Sequence, residues 1–201
     1  MNWDLTLEIA GFTIGILYLW WEYHANAKLW LASIIMPTIS MWIYFRKGLY
    51  ADFTINIYYF VMAVYGYIAW TWGTRHGRRK PADDDEKKAA PLRIRHVSLA
   101  ACAGCVLVAA ALWWAIYFLL ARFTDSNVPV YDAFTTALSI VGTWMLARKY
   151  LEQWIAWIAV DAVCVGLYCY KEIYLYATLY AVYTVIALFG YRKWRRLMGK
   201  M

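Results

Sequence analysis

Seven apolar runs of membrane-spanning length take up most of this chain, and they leave few folds open to it. They lie at about Trp3–Tyr23, Lys28–Phe45, Tyr50–Trp72, Val97–Leu120, Tyr131–Ala147, Glu152–Tyr170 and Ile173–Tyr191. A helix crosses the hydrocarbon of a bilayer in roughly 20 residues. In that medium the backbone must satisfy its own hydrogen bonds, which runs of this length do as helices. Composition agrees: 64% of the 201 residues are hydrophobic, with 13 Trp and 18 Tyr, far more apolar surface than a soluble domain of this size buries. The expected fold is an all-α polytopic membrane protein with seven transmembrane helices.

The charges sit where such a protein tolerates them. The net charge of +7 does not point to nucleic acid, because Lys and Arg gather in a few loops and the tail rather than along one face. The longest polar stretch, RHGRRKPADDDEKKAAPLRIRH from Arg75 to His96, combines dense charge with two prolines and is expected to be a solvated linker. This divides the chain into 1–73, a loop 74–96, a spanning helix 97–121 and a last segment 130–201. With an odd number of spans the termini lie on opposite sides. The positive-inside rule places Lys28, the Arg75–Arg95 cluster, Arg148, Lys149 and the tail in the cytoplasm. The N-terminus is then outside and the C-terminus inside. The first run has neither a basic leader nor a small-residue cleavage site, so it is expected to be retained as a span. Cys102 and Cys105 form a CxxC, but no second pair and no nearby His complete a metal site. All four cysteines read as small packing residues, and no cofactor or metal is called for.

The chain also repeats itself. A single ungapped shift of 124 residues pairs Trp30 with Trp154, Lys47 with Lys171, Tyr50 with Tyr174, Thr54 with Thr178, Gly66 with Gly190 and Trp70 with Trp194. Spans one to three therefore correspond to spans five to seven, with span four between them. The expected architecture is two parallel three-helix repeats joined by a linker helix, a 3+1+3 arrangement. Transporters built from repeats hold their substrate at mid-membrane between the halves.

The most informative stretch is QWIAWIAVD, Gln153 to Asp161. Asp161 falls near the middle of span six, where a carboxyl costs a few kcal/mol unless it faces a cavity or a partner. Trp157 is four residues earlier and Trp154 three before that, so all three share one helix face. Two indoles and an anionic group suit a flat, cationic heteroaromatic ligand, since both the ring faces and the carboxylate favour positive charge. The bland alternatives are an interfacial anchor for Trp154 or Trp157 and a satisfied buried carboxyl for Asp161. The repeat partner of Asp161 is Pro37, which frees a backbone carbonyl one turn back, near Ser33. Ser33 is itself the partner of Trp157. Asn56 lies mid-span in span three, opposite Tyr180 in the repeat. The stripe Asp132, Thr136, Ser139 and Thr143 on span five reads first as helix-packing glue.

DAFTTALSIVGTWMLARKY (Asp132–Tyr150), EQWIAWIAVD (Glu152–Asp161), LYCYKEIY (Leu167–Tyr174) and IALFGYRKW (Ile186–Trp194) resemble the nicotinamide riboside transporter (PnuC) family. LYADFTINIYYF and YGYIAW in span three are similar to that family's first repeat. The resemblance covers nearly the whole chain except the Arg75–His96 linker. It implies uptake of a vitamin or vitamin precursor by facilitated diffusion, with trapping by a cytoplasmic kinase. It also implies that Trp154 and Trp157 clamp the substrate ring. Members that carry nicotinamide riboside tend to have Asn where Asp161 stands and Gln where Asn56 stands, and the family includes thiamine transporters. Both departures fall among the expected substrate contacts Trp154, Trp157, Asp161, Asn56, Tyr180, Ser33 and Pro37. Thiamine therefore stands slightly ahead of nicotinamide riboside. The expected partners are the vitamin and the lipid bilayer, with a homo-oligomer left open. A proton-coupled symporter using Asp161 is the nearest rival. An intramembrane enzyme would need a second central acid or a His to pair with Asp161, and a membrane scaffold would need no midplane acid.

Overall fold

The computed structural model describes residues 14–48, 50–73, 92–124 and 126–199. Among these, seven helices are seen: α1, described over 14–23, α2 (Leu29–Arg46), α3 (Tyr50–Trp72), α4 (Leu99–Phe123), α5 (Pro129–Ala147), α6 (Gln153–Tyr170) and α7 (Tyr174–Met198). Six of them, α2 to α7, are long and apolar enough to cross a membrane. The start of the expected first span, and most of the Arg75–His96 linker, lie outside the described residues. Local chemistry sets several helix ends. Pro129 opens α5 at its first turn, where a missing amide proton costs nothing. The Ser98 hydroxyl caps α4 by accepting from the Ala101 amide. The left-handed Gly48, at φ 71°, stops α2.

The chain forms two compact units, Met1–Arg93 and Ile94–Met201. In the first, α2 packs on α3. In the second, α4 packs on α5, α5 on α6 and α6 on α7. Val141, Met145 and Tyr150 form the α4–α5 core, against Val97, Cys105, Ala109 and Leu112. No residue of α4 is buried. Its exposed Val106, Leu107, Trp114 and Phe118 are surface that hydrocarbon covers in a bilayer.

Positions 124 residues apart share local geometry to a degree that aromatic composition does not explain. Helices α2 and α6 both begin and end 124 residues apart, at Leu29 and Gln153 and at Arg46 and Tyr170. Helices α3 and α7 start at Tyr50 and Tyr174. Ala25 and Lys149 hold φ values of 52° and 54°, and Gly48 and Glu172 hold 71° and 58°. The turn before α2 is closed by the Asn26 amide donating to Trp21 O at 2.8 Å. The turn before α6 is closed by the Tyr150 amide donating to Met145 O at 3.0 Å. Thr54 and Thr178 each return a hydroxyl proton to the carbonyl four residues back, at 2.8 and 2.9 Å.

The end of the linker is not loose loop. Ile94 is buried, and Arg95 pairs with the α5–α6 turn in a short parallel bridge. Its amide donates to Lys149 O at 3.1 Å, and its carbonyl accepts from the Leu151 amide at 3.0 Å. The Arg95 guanidinium lies 4.9 Å from the centre of the Tyr150 ring. Glu152 holds the next residues, accepting from the Val97 amide at 2.9 Å and lying 2.7 Å from His96 Nδ1. A run of charges suggests solvation, but the buried Ile94 and the Arg95 backbone groups let its last residues add to the turn instead.

Candidate functional site

The site is built on α6, which lies between α5 and α7. Its sequence is apolar on every face, so burial rather than amphipathicity distinguishes its sides. Gln153, Trp154, Ala156, Val160, Asp161, Cys164 and Leu167 are buried.

Trp154 and Trp157 face different neighbours. The Trp154 indole is 2% exposed and fills the α6–α7 seam. It lies edge-on to Trp194, with ring centres 5.7 Å apart and planes at 86°. A Cβ added at Gly190 would come within 2.6 Å of its ring atoms, so only glycine lets α7 approach this closely. Trp30 meets Trp70 in the same way, at 5.7 Å and 87°, and Gly66 lies under the Trp30 ring. The Trp154 ring thus keys two helices together. The half-buried Trp157 turns instead toward α5, with Cε2 about 3.7 Å from where a Gly142 Cβ would stand. The two indoles of the expected clamp thus meet different neighbours, Trp154 on α7 and Trp157 on α5.

Asp161 is mid-helix and 7% exposed. Among the described residues no hydrogen bond or ion pair reaches its carboxylate. Tyr180, Tyr183 and Cys164 lie within electrostatic reach of it. Tyr180 belongs to an aromatic ladder: its ring stacks on Tyr168 at 5.3 Å, Tyr168 stacks on Tyr176 at 5.3 Å, and Tyr183 meets Tyr180 edge-on at 5.8 Å. Sequence reasoning singled out Tyr180 only as the repeat partner of Asn56. It missed Tyr168 and Tyr183, which stand at four-residue and three-residue helical spacings from Cys164 and Tyr180.

The hydroxyls of the α5 stripe bond to their own helix. Thr136 donates to Asp132 O and Thr143 to Ser139 O, each at 2.8 Å, while the Asp132 carboxylate accepts from Ser126 at 2.7 Å. In the first unit, α2 runs unbroken through Pro37. The Ser33 hydroxyl donates to Leu29 O at 3.0 Å, and residue 37 has no amide proton to offer the Ser33 carbonyl. Asn56 is half-buried on α3.

Apolar helices of membrane length, with a buried and uncompensated carboxylate at the middle of one, define a polytopic membrane protein of the solute-carrier class. The model of the nicotinamide mononucleotide transporter family matches residues 5–196, and the chain belongs to that family. It is 24% identical over 218 residues to the nicotinamide riboside transporter PnuC of Escherichia coli (strain K12), covering 96% of this chain and 87% of that protein. It is 23% identical to the PnuC of Neisseria mucosa over 206 residues, 99% of this chain and 75% of that protein. The riboflavin/roseoflavin transporter RibM of Streptomyces davaonensis is 30% identical over 133 residues, 66% of this chain and 58% of that protein. In fold it is similar to the crystal structure of the vitamin B3 transporter PnuC, with a TM-score of 0.68 at 18% identity, over 99% of this chain and 84% of that one. These relatives are transporters, and this protein is a membrane transporter rather than an enzyme. Membership of the family, with six membrane-length helices, implies a bacterial inner membrane.

Proposed function

We propose that this transporter imports a small cationic heteroaromatic vitamin or vitamin precursor, with thiamine slightly ahead of nicotinamide riboside. The observation that carries this reading is Asp161, a buried mid-helix carboxylate with no partner among the described residues, one turn from Trp157. A cationic ring stacked on Trp157 would supply the missing charge, and the ring face would add its own attraction. Tyr180 extends the aromatic surface beside Asp161, and Trp154 keeps α6 and α7 in register behind it. Ser33, Pro37 and Asn56, at the 124-residue offset from Trp157, Asp161 and Tyr180, are the proposed substrate contacts of the first repeat.

The proposed architecture is 3+1+3: residues 1–73 and 130–201 as parallel repeats, a loop over 74–96, and α4 as the joining helix. The shared helix bounds, left-handed turns and Trp–Gly seams support it. The basic loops support a cytoplasmic C-terminus and an external N-terminus. Transport is facilitated diffusion, and a cytoplasmic kinase acting on the substrate makes import net.

Calorimetric titration of the purified protein with thiamine, nicotinamide riboside and riboflavin tests the substrate. Tight binding of either cation supports the reading. Binding of riboflavin alone, the substrate class named for the Streptomyces relative, overturns the cationic element of it. A second reading, proton symport, is favoured by the same lone carboxylate. Uptake into vesicles that stops when the pH gradient is collapsed, with internal trapping held constant, would establish symport. Unchanged uptake would leave facilitated diffusion.

A further inference from the structure

Asp161 and Trp157 are two of three unpartnered groups at four-residue spacing along α6; the Trp154 Nε1 proton, in the α6–α7 seam, is also buried without a partner. The third at that spacing is Gln153, at the start of the helix. It is 0% exposed, and neither its amide oxygen nor its amide nitrogen has a hydrogen-bond partner. The Trp157 Nε1 proton, one turn further on, is also buried and unused. Gln153, Trp157 and Asp161 stand at i, i+4 and i+8, so they line one face and span about 12 Å of helix. A primary amide offers two donors and an acceptor. Burying it with none of them met costs far more than an apolar side chain of the same shape would. Its position in the 124-residue correspondence is Leu29, also 0% exposed. The fold thus accommodates an apolar residue at the equivalent place, and packing alone does not require an amide at 153.

We infer that Gln153 is a substrate-recognition residue, completing a three-point column that takes an elongated ligand. This rests on the reading that Trp157 and Asp161 bind a cationic heteroaromatic. Asp161 receives the positive charge and Trp157 the ring. Gln153, with the Trp157 indole N–H, hydrogen-bonds the hydroxyl-bearing tail. The substrate class is accordingly a cationic ring carrying a hydroxyalkyl or ribosyl arm, and not a bare cationic ring. A site built to hydrogen-bond a hydroxyl discriminates strongly against an analogue that lacks it, because its own buried groups are then left unmet.

The test compares wild type with Gln153→Met, a near-isosteric change that removes both orphan polar atoms. The ligands are thiamine and nicotinamide riboside, each set against an analogue without its arm: thiamine lacking the hydroxyethyl group, and N-methylnicotinamide. Affinity is read by calorimetry and stability by thermal unfolding. For whichever vitamin wild type binds, the variant should lose tenfold or more in affinity. It should bind the armless analogue as wild type does, and melt at or above the wild-type temperature. Equal losses for vitamin and armless analogue, or unchanged affinity for both, overturn the Gln153 assignment and leave the cationic-ring reading standing. A lowered melting temperature with affinity unchanged makes Gln153 a structural amide held by buried water, and also overturns the assignment. Wild-type protein that binds neither vitamin overturns the underlying reading, and the assignment with it.

Discussion

The Trp154 ring lies against Gly190 so closely that a Cβ there would come within 2.6 Å of it. Gly190→Ala must displace a fully buried indole or drive α6 and α7 apart. Overpacking of this kind costs about 1–3 kcal/mol, which lowers the melting temperature by several degrees in a protein of this size. Gly142→Ala is the control, since its new Cβ would meet only ordinary contacts from 3.5 Å outward. Thermal unfolding in detergent should separate the two variants clearly. Trp154→Phe should recover some of the Gly190→Ala loss, a coupling that a double-mutant cycle would measure.

The two tryptophans of the motif should fail differently. Trp154→Ala opens a cavity in the α6–α7 seam and should cost about 3–5 kcal/mol of stability. Trp157→Ala should cost less stability and more affinity, with vitamin binding about tenfold weaker or worse. Calorimetry and unfolding on both variants decide the matter. A Trp154→Ala protein that is stable but cannot bind would return Trp154 to the substrate clamp.

Much of this division is not legible in the sequence. Periodicity puts Trp154, Trp157 and Asp161 on one side of a helix, and the helix is there. The 124-residue shift pairs Trp30 with Trp154 and Gly66 with Gly190, but nothing in the letters shows each indole resting on the glycine 36 residues later. That contact depends on how α7 crosses α6, which is tertiary packing rather than local pattern. Pro37 frees a carbonyl near Ser33 as its position implies, yet α2 continues through it, because one missing amide proton interrupts a hydrogen bond without ending a helix held by its neighbour. Gln153 draws no separate reading from the sequence, because its complete burial follows from packing rather than from local pattern. The charged linker hides the docking of Arg95 on the α5–α6 turn in the same way.

Asp161→Asn keeps the shape of the side chain and removes its negative charge. If the carboxylate selects the substrate, the change should weaken thiamine binding more than nicotinamide riboside binding. Paired titrations of wild type and variant read the ratio directly. Equal weakening of both would mean that Asp161 acts on the fold or on any cation alike.

Lys149, in the turn between α5 and α6, carries a pH signature. Burial lowers its ammonium from the usual 10.5 to about 8. The folded protein therefore sheds this proton before the unfolded chain does. Stability is reduced while Lys149 is charged, rises between about pH 8 and 10.5, and is level beyond. Lys149→Met should remove that rise and leave the rest of the pH–stability curve in place. Melting temperatures across pH 7 to 11, wild type against variant, would show the difference. Superimposable curves would mean that the ammonium is hydrated in the folded protein.

Three of the four left-handed positions before and after α2 and α6 are held by residues with a side chain that disfavours the conformation: Ala25, Lys149 and Glu172, where only Gly48 is glycine. The backbone holds this shape without the residue best suited to it. An engineer seeking a sturdier carrier for crystallisation therefore has a consensus inside a single chain. Copying Gly48 across to position 172 is the first edit that such an internal alignment recommends.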